Sequence, residues 1–351
     1  MFRVAPRRLL AAATALTTPL LPEDYLGLLD PLWSTTVLRG RVVAVRRETA
    51  RATTLTIRPG RMWEGHRAGQ YVRIGVDIDG VRHWRTYSLT SAESADHLTI
   101  TVHALAEGLV SRHLAHATPV GTILQLEAAT GVFVLPTPTP AALLLVTAGS
   151  GVTPVMGILR TLAAQGELRD VVLVHSAPTA AEVIFGAELR HLADTHPGLR
   201  LVVRHTATEG RLDLADLDAL VPDRRDRETY VCGPDALLTA AEELWADHGD
   251  RLHLERFTPP VRSAGGTGGT VRYGDTTVDV DASASLLEAG EDAGVLMPSG
   301  CRMGICFGCV LPLRDGQVRD LRTGRVHGEP GDLVQTCISG ASGTAHLATT
   351  S

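Results

Sequence analysis

Short runs of alternating hydrophobic and polar positions occupy the first third of the chain. "RVVAVRRET", "ATTLTIRP", "QYVRIGVDIDG", "HLTITVHAL" and "TILQLEA" fall between residues 37 and 135, with Gly, Asp and Pro punctuating them. Period-two runs bounded by turn residues predict an antiparallel β-barrel or sandwich. The texture changes after "LPTPTP" at 135–140, a stiff connector. "ALLLVTAGSG", "DVVLVHSA", "RLVVRHT" and "TYVCGP" read as buried strands. The helical stretches "VMGILRTLAAQG", "EVIFGAELRHLADTH" and "ALLTAAEELWADHG" separate them. That alternation predicts a parallel sheet with helices on both faces.

"TPPVRSAGGTGGT" at 258–270 breaks the pattern, and its glycines make it a flexible tether. Beyond it, "GTVRYGDTTVDVDA" predicts a hairpin turning at Gly274-Asp275. A helix, "SASLLEAGEDAG", and a cysteine-bearing loop follow, and no internal repeat interrupts the order.

Composition narrows the class. A chain of 351 residues with 44% hydrophobic and 21% charged positions suggests two or three ordinary globular domains. The net charge of −6, without a basic run or a basic patch interleaved with aromatics, argues against a nucleic-acid partner. Five cysteines are sparse and odd in number, which points to a reducing, cytoplasmic compartment rather than a secreted disulfide scaffold. At the N-terminus, Arg3, Arg7 and Arg8 precede an apolar stretch from Leu9 to Leu21. It is too short and too interrupted by Thr and Pro to span a bilayer. An amphipathic or poorly ordered arm, a docking arm for the inner face of a membrane or a membrane-bound partner, and an export signal all read this way.

"SGCRMGICFGCV" at 299–310 concentrates the chemistry. Cys301, Cys306 and Cys309 are spaced C-x4-C-x2-C, and Cys337 follows after a long gap in "LVQTCISG". This is the plant-type 2Fe–2S spacing. Zinc usually takes two paired knuckles, whereas here the fourth cysteine stands alone. Gly304 and Gly308 would let the loop bend and turn amide N–H groups toward sulfur. With its hairpin, helix and loop, the C-terminal segment resembles a plant-type ferredoxin domain. The resemblance implies a β-grasp fold with Cys301, Cys306, Cys309 and Cys337 as metal ligands, although Phe307 stands where many ferredoxins carry a small residue.

A cluster carries electrons and does not generate them, so a source is expected upstream. "WRTYSLTS" at 84–91 combines with "GLVS" at 108–111, which opens the helical "RHLAHA" and so offers a phosphate site at a helix N-terminus. "TAGSGVTP" at 147–154 follows a strand and opens a helix with proline, as in dinucleotide phosphate binding. "CGP" at 232–234 ends the last strand of the alternating region. Together these stretches resemble the ferredoxin–NADP reductase superfamily over residues 37–257.

The resemblance implies that Arg85 pairs with the flavin pyrophosphate, Tyr87 and Leu89 pack near the isoalloxazine, and Ser88 lies near N5. It places Gly108, Val110 and Ser111 in the phosphate cradle. It sets Gly149, Gly151, Thr153, Pro154, Cys232, Gly233 and Pro234 beside the nicotinamide coenzyme, with Glu255 and Phe257 near the flavin edge. Ser88, Cys232 and Glu255 are the catalytic candidates. No Asp or Glu closes "VVLVHSAP" to take a ribose 2′-hydroxyl, while Ser176 and Arg204 suit a 2′-phosphate, so NADPH is expected ahead of NADH.

The expected architecture is multidomain: an arm at 1–36, an antiparallel β-barrel binding FAD at 37–137, a Rossmann-like α/β domain at 138–257, a linker at 258–269 and a β-grasp ferredoxin domain at 270–351. The implied relay runs from NAD(P)H by hydride to FAD, then by single electrons to the cluster. A short tether would hold the cluster at an effective concentration in about the millimolar range. "PLLPEDYLGLLDPLWS" at 19–34 resembles the entry of bacterial reductases that serve membrane di-iron fatty-acyl desaturases and alkane hydroxylases. A reductase for a soluble aromatic-ring or P450 oxygenase, and a flavin-free iron–sulfur sensor, are the rival readings.

Overall fold

The computed structural model describes residues 27, 29–106, 108–257, 266–300, 304 and 307–349. Of the expected arm at 1–36 and linker at 258–269, residues 1–26, 28 and 258–265 lie outside the described residues, as do Cys301 and Cys306. The chain divides into two units, Met1–Glu255 and Arg256–Ser351.

In the first unit, β1 (Arg39–Arg47), β2 (Ala52–Pro59), β3 (Tyr71–Ile78), β4 (Val81–Ser88), β5 (Leu98–His103) and β6 (Ile123–Leu126) pair antiparallel in the order β4-β3-β6-β1-β2-β5. Leu89 bridges to Ile100 just past β4, which joins the two sheet edges into a barrel. Alternation in the sequence sends Val42, Leu55, Ile57, Ile74 and Ile100 inward, where α1 (Leu109–His116) adds Val110 and Leu114. Full burial of each such side chain is worth about 1.5–3 kcal/mol. The barrel is therefore a rigid base for whatever β4 carries.

The same unit continues with β7 (Leu143–Ala148), α2 (Val152–Gln165), β8 (Val171–Ala177), α3 (Gly186–Thr195), β9 (Leu199–His205), β10 (Glu228–Cys232), α4 (Asp235–Leu244) and β11 (Leu252–Glu255). Its strands form a parallel sheet in the order β11-β10-β7-β8-β9. Leu143, Leu145 and Leu173 pack with α2 and α3 on one face, and Leu144, Val146 and Val174 with α4 on the other. The order reverses between β7 and β10, the topological switch point where open α/β sheets bind ligands.

Two element boundaries differ from the sequence expectation. The helix expected from Glu182 starts at Gly186, because Ala180–Glu182 is a separate 3-10 turn and Phe185 adopts φ +60. The short edge strand β11 is not among the expected strands: its four residues are all half-buried and show no alternation to read.

The second unit contains β12 (Gly269–Tyr273), β13 (Thr276–Val280), α5 (Leu286–Asp292), β14 (Val310–Asp320), β15 (Val326–His327), β16 (Leu333–Gln335) and β17 (Ser339–Leu347). β12 and β13 form the expected hairpin, with Gly274 at φ +58 in its turn. β12 runs parallel to β17 within an otherwise antiparallel sheet. Ser285 and Glu288 form a reciprocal capping box that starts α5. No described helix is long and apolar enough to cross a membrane.

Candidate functional site

β4 lies at one edge of the barrel sheet and pairs only with β3, with Ser88 opposite Tyr71 and Arg85 opposite Ile74. Arg85 donates to the Trp84 carbonyl at 2.8 Å, and Tyr87 packs partly buried against the barrel core. Burial raises the Tyr87 hydroxyl above its ordinary pKa, so it stays protonated. The hydroxyls of Thr86 and Ser88 are buried without a hydrogen-bond partner in the described structure. Orphaned buried hydroxyls cost about 1–3 kcal/mol each, and a polar ligand on β4 would satisfy them. The Leu89 side chain is fully buried in the barrel, and its amide donates to the Gln70 carbonyl at 2.8 Å.

α1 begins at Leu109, so Ser111 sits inside its first turn rather than ahead of it. Ser111 Oγ accepts from the Leu105 amide at 3.1 Å and donates to the Gly108 carbonyl at 3.2 Å. A Cβ on Gly108 would lie 2.3 Å from that oxygen, so glycine lets the loop close. No side chain caps α1, and Val110 is buried. An uncapped helix start suits a phosphate. A guanidinium, an aromatic ring, orphaned hydroxyls and this helix start together fit a flavin dinucleotide.

The second group of residues meets at the C-terminal edge of the parallel sheet. Glu255, Cys232, Thr147 and His175 stand in one register row across β11, β10, β7 and β8. The next positions, Ala148, Ser176 and Arg204, are likewise in register. Gly149 takes φ +55, and a Cβ there would meet nothing within 4 Å, an open cradle. Gly151 has a different reason: its Cβ would lie 2.1 Å from the Cys232 carbonyl oxygen, so the two strand-end loops touch backbone to backbone. Gly233 is also tight, with Leu237 at 2.9 Å from a Cβ. Thr153 Oγ1 donates to the Ser150 carbonyl at 2.9 Å, and Pro154 is buried in the first turn of α2, which has no side-chain cap. Pro234 precedes α4 as its N-cap. These features fit a nicotinamide dinucleotide at the switch point.

Burial pushes the Cys232 thiol well up, helped by nearby Glu255, and burial alone pushes the Glu255 carboxyl up to about 8. Glu255 Oε2 is buried and unpartnered. The native carboxyl thus keeps its proton where an unfolded one, near 4.5, releases it. Between those values the native state binds more protons, so stability falls as pH rises from about 4.5 through 8. Glu255→Gln is expected to remove this slope. Unfolding midpoints at pH 5 and pH 8 should show the variant gaining on wild type at the higher pH, by up to a few kcal/mol. An unchanged gap would place the proton elsewhere.

Sequence reasoning missed Thr147 and His175. Thr147 Oγ1 and His175 Nδ1 share a hydrogen bond of 2.8 Å, and burial holds His175 neutral with its pKa down to about 4. A histidine inside a hydrophobic strand, "VVLVHSA", was the available signal. Ser176 is buried, and Arg204 donates Nε to the Gly210 carbonyl at 2.9 Å and Nη2 to the Glu209 carbonyl at 2.7 Å. Phe257 is partly exposed just beyond β11.

In the second unit the fold brings Cys309, at the start of β14, beside Cys337, after β16. A hydrogen bond with Cys337 draws the Cys309 thiol below its ordinary pKa, toward the thiolate that metals bind. Thr336 supports the pair by donating its hydroxyl to the Cys309 carbonyl at 2.7 Å. Gly304 has φ +72, and a Cβ there would lie 2.7 Å from Ile338. Gln335 Nε2 donates to the Gly304 carbonyl at 3.1 Å and anchors the loop. Among the described residues of the loop, the other left-handed one is Phe307, φ +54, rather than Gly308. This donor set fits a 2Fe–2S cluster on the described side of the loop. Cys301 and Cys306 lie outside the described residues.

Three family models match the chain: an oxidoreductase FAD-binding domain over residues 49–135, an oxidoreductase NAD-binding domain over 145–243 and a 2Fe-2S iron-sulfur cluster binding domain over 270–341. An NADPH oxidoreductase of Mycobacterium tuberculosis is 53% identical over 95% of this chain and 90% of its own length. The ferredoxin reductase component of 3-ketosteroid-9-alpha-monooxygenase from Mycolicibacterium smegmatis is 32% identical over 90% of this chain and 96% of its own. A glycine betaine monooxygenase reductase subunit of Pseudomonas aeruginosa is 29% identical over 74% and 80%. Among solved structures, phthalate dioxygenase reductase matches in fold with a TM-score of 0.66, at 24% identity over 90% of this chain and 98% of that one.

Proposed function

Because the chain belongs to the ferredoxin–NADP reductase superfamily and carries a ferredoxin-type 2Fe–2S domain on the same polypeptide, we propose that it draws electrons from NADPH and delivers them to an oxygen-activating iron enzyme. It is an NAD(P)H-dependent oxidoreductase of the ferredoxin reductase type, with FAD, a nicotinamide coenzyme and a 2Fe–2S cluster as cofactors. The observation that carries the reading is the register row ending in Cys232 and Glu255, which lies beside the Gly149–Gly151 turn at the switch point.

A flavin held here would supply hydride acceptance from the coenzyme and single-electron release toward a cluster. The residues around it bind, orient and exclude water. Arg85 and the α1 start would hold the diphosphate, and Tyr87 and Ser88 would hold the ring. Cys232 and Glu255 are neutral at pH 7, so neither places an anion in the crevice, and Glu255 would keep a proton at its buried carboxyl. Ser88 offers an unpaired hydroxyl. Arg85→Ala is expected to weaken flavin retention about 10–100-fold, the worth of one charged hydrogen-bond partner. Flavin content after dialysis against a flavin-free buffer measures it, and full retention would exclude the role.

Domain limits follow the sequence reading, with the barrel at 37–137, the nicotinamide domain at 138–257 and the cluster domain at 270–351. NADPH is favoured because Arg204 has Nη1 left for an anion beside Ser176, and the M. tuberculosis relative is named for that coenzyme. The acceptor we favour is a di-iron fatty-acyl desaturase or alkane hydroxylase at a membrane, on the resemblance of residues 19–34. A second reading, a ring-hydroxylating or other monooxygenase component, is favoured by the names of the ketosteroid and glycine betaine relatives.

An anaerobic visible titration tests the core of this reading. NADPH at low concentration should bleach both flavin and cluster bands, and NADH should require more. Bleaching by NADH alone would overturn the coenzyme assignment, and an unbleached cluster would overturn the relay. Turnover with purified desaturase and monooxygenase acceptors then separates the two acceptor readings.

A further inference from the structure

α2 contains a glycine where a helix interior gains nothing from one. Gly157 lies in the middle of Val152–Gln165, and an interior glycine costs about 0.5–1 kcal/mol relative to alanine. Its surroundings supply the reason. A Cβ on Gly157 would lie 2.5 Å from the Leu89 carbonyl oxygen and 3.5 Å from that of Ser91. Both neighbours are backbone, so no flexible side chain is present to yield. Leu89 is pinned by its amide to Gln70 at 2.8 Å, and Thr90 by its amide to Thr99 at 2.8 Å. The barrel side of the contact therefore cannot move away cheaply.

Further contacts lock the same face of α2 to the same segment. Arg160 Nη1 donates to the Thr90 carbonyl at 2.6 Å. Its Nε and Nη2 bind Glu188 of α3 at 2.7 Å each, which fixes the guanidinium. Thr161 Oγ1 accepts from the Glu93 amide at 3.1 Å. At one end of this contact Leu89 follows Ser88 directly. At the other, Gly157 lies four residues after Thr153, about 6 Å along the helix. A rigid path thus joins the coenzyme turn to the flavin strand, with a bare backbone contact at its centre.

We propose that Gly157 is a positioning residue: its missing side chain sets how closely the coenzyme turn at the head of α2 approaches the Ser88 end of β4. This rests on the reading of those two places as the nicotinamide and flavin sites. A methyl at Gly157 must open the contact from 2.5 Å by nearly an ångström to reach ordinary van der Waals distance. Hydride transfer depends steeply on such spacing, since a misplacement of about 1 Å can cost about 10²-fold.

The test is Gly157→Ala in the full-length holoprotein, studied anaerobically by stopped flow with NADPH and with coenzyme deuterated at the transferred hydrogen. The expected result is flavin reduction slowed about 10–100-fold, with a full primary isotope effect and KM for NADPH changed by less than about threefold. Hydrogen exchange of the holoprotein should show protection falling together over residues 89–93 and 153–161, which a local defect in α2 alone would not produce. Wild-type reduction rate, or a rise in KM with the rate unchanged, would overturn the proposal. Should the variant lose flavin, the measurement is repeated with FAD added to saturation, and a wild-type reduction rate there overturns the proposal. Failure of wild type to be reduced by either coenzyme would instead defeat the underlying functional reading.

Discussion

Cys337→Ser is expected to give a protein that keeps its flavin absorbance, loses the iron–sulfur bands and delivers no electrons to an iron-enzyme acceptor. Ferricyanide reduction by NADPH, which draws on the flavin, should be unchanged. The reasoning starts from the local fold. β16 and the turn after it carry Cys337 to Cys309, and the Thr336 amide and hydroxyl both donate to the Cys309 carbonyl, at 3.2 and 2.7 Å. The Cys309 thiol, drawn down by its hydrogen bond with Cys337, is poised to give up its proton to a metal. Serine keeps the shape but offers a hydroxyl that neither ionises at neutral pH nor suits iron as thiolate does. Iron content, the electron paramagnetic resonance signal after dithionite and turnover with a monooxygenase acceptor check the expectation. A retained signal of wild-type intensity would remove Cys337 from the ligand set.

Gly151→Ala is expected to lower kcat/KM for NADPH by about 10²-fold while leaving flavin content intact. A methyl there would sit 2.1 Å from the Cys232 carbonyl oxygen and 2.5 Å from its carbon. Real Cβ atoms do not approach backbone so closely, so the loop after β7 must part from the loop after β10. Those loops leave β7 and β10 at the switch point, and Cys232 is the last residue of β10. The three atoms nearest that methyl belong to Cys232 and Gly233 and none to the barrel, which is why flavin should stay. Steady-state kinetics and flavin absorbance measure both effects, and wild-type kcat/KM would show that the crevice tolerates the parting.

The two glycines in "GSG" show what a motif conveys and what it conceals. Both were assigned to coenzyme binding from the pattern of strand, glycine turn and proline. Only Gly149, at φ +55 with open space around it, has the geometry of a ligand cradle. Gly151 is needed for contact between two strand ends 81 positions apart in sequence, Gly151 and Cys232. Ser111 makes the same point. Its place at a helix start was legible, yet its hydroxyl closes the loop between Leu105 and Gly108.

The order of barrel, parallel α/β sheet and ferredoxin-type domain was determined by the sequence alone. Period-two and buried-run patterns are local properties of the chain, and the cysteine spacing of the cluster loop is a property of neighbours in sequence. Metal-ligand and phosphate-binding chemistry of this kind depends on residues a few positions apart, so a string of letters carries it. The tertiary structure decided the rest: the row of Glu255, Cys232, Thr147 and His175, the raised carboxyl of Glu255, and the bare contact of Gly157 with Leu89. Each of these depends on strand order, on burial or on the distance between two backbones. Those quantities come into existence only when distant segments pack, and no local pattern encodes them.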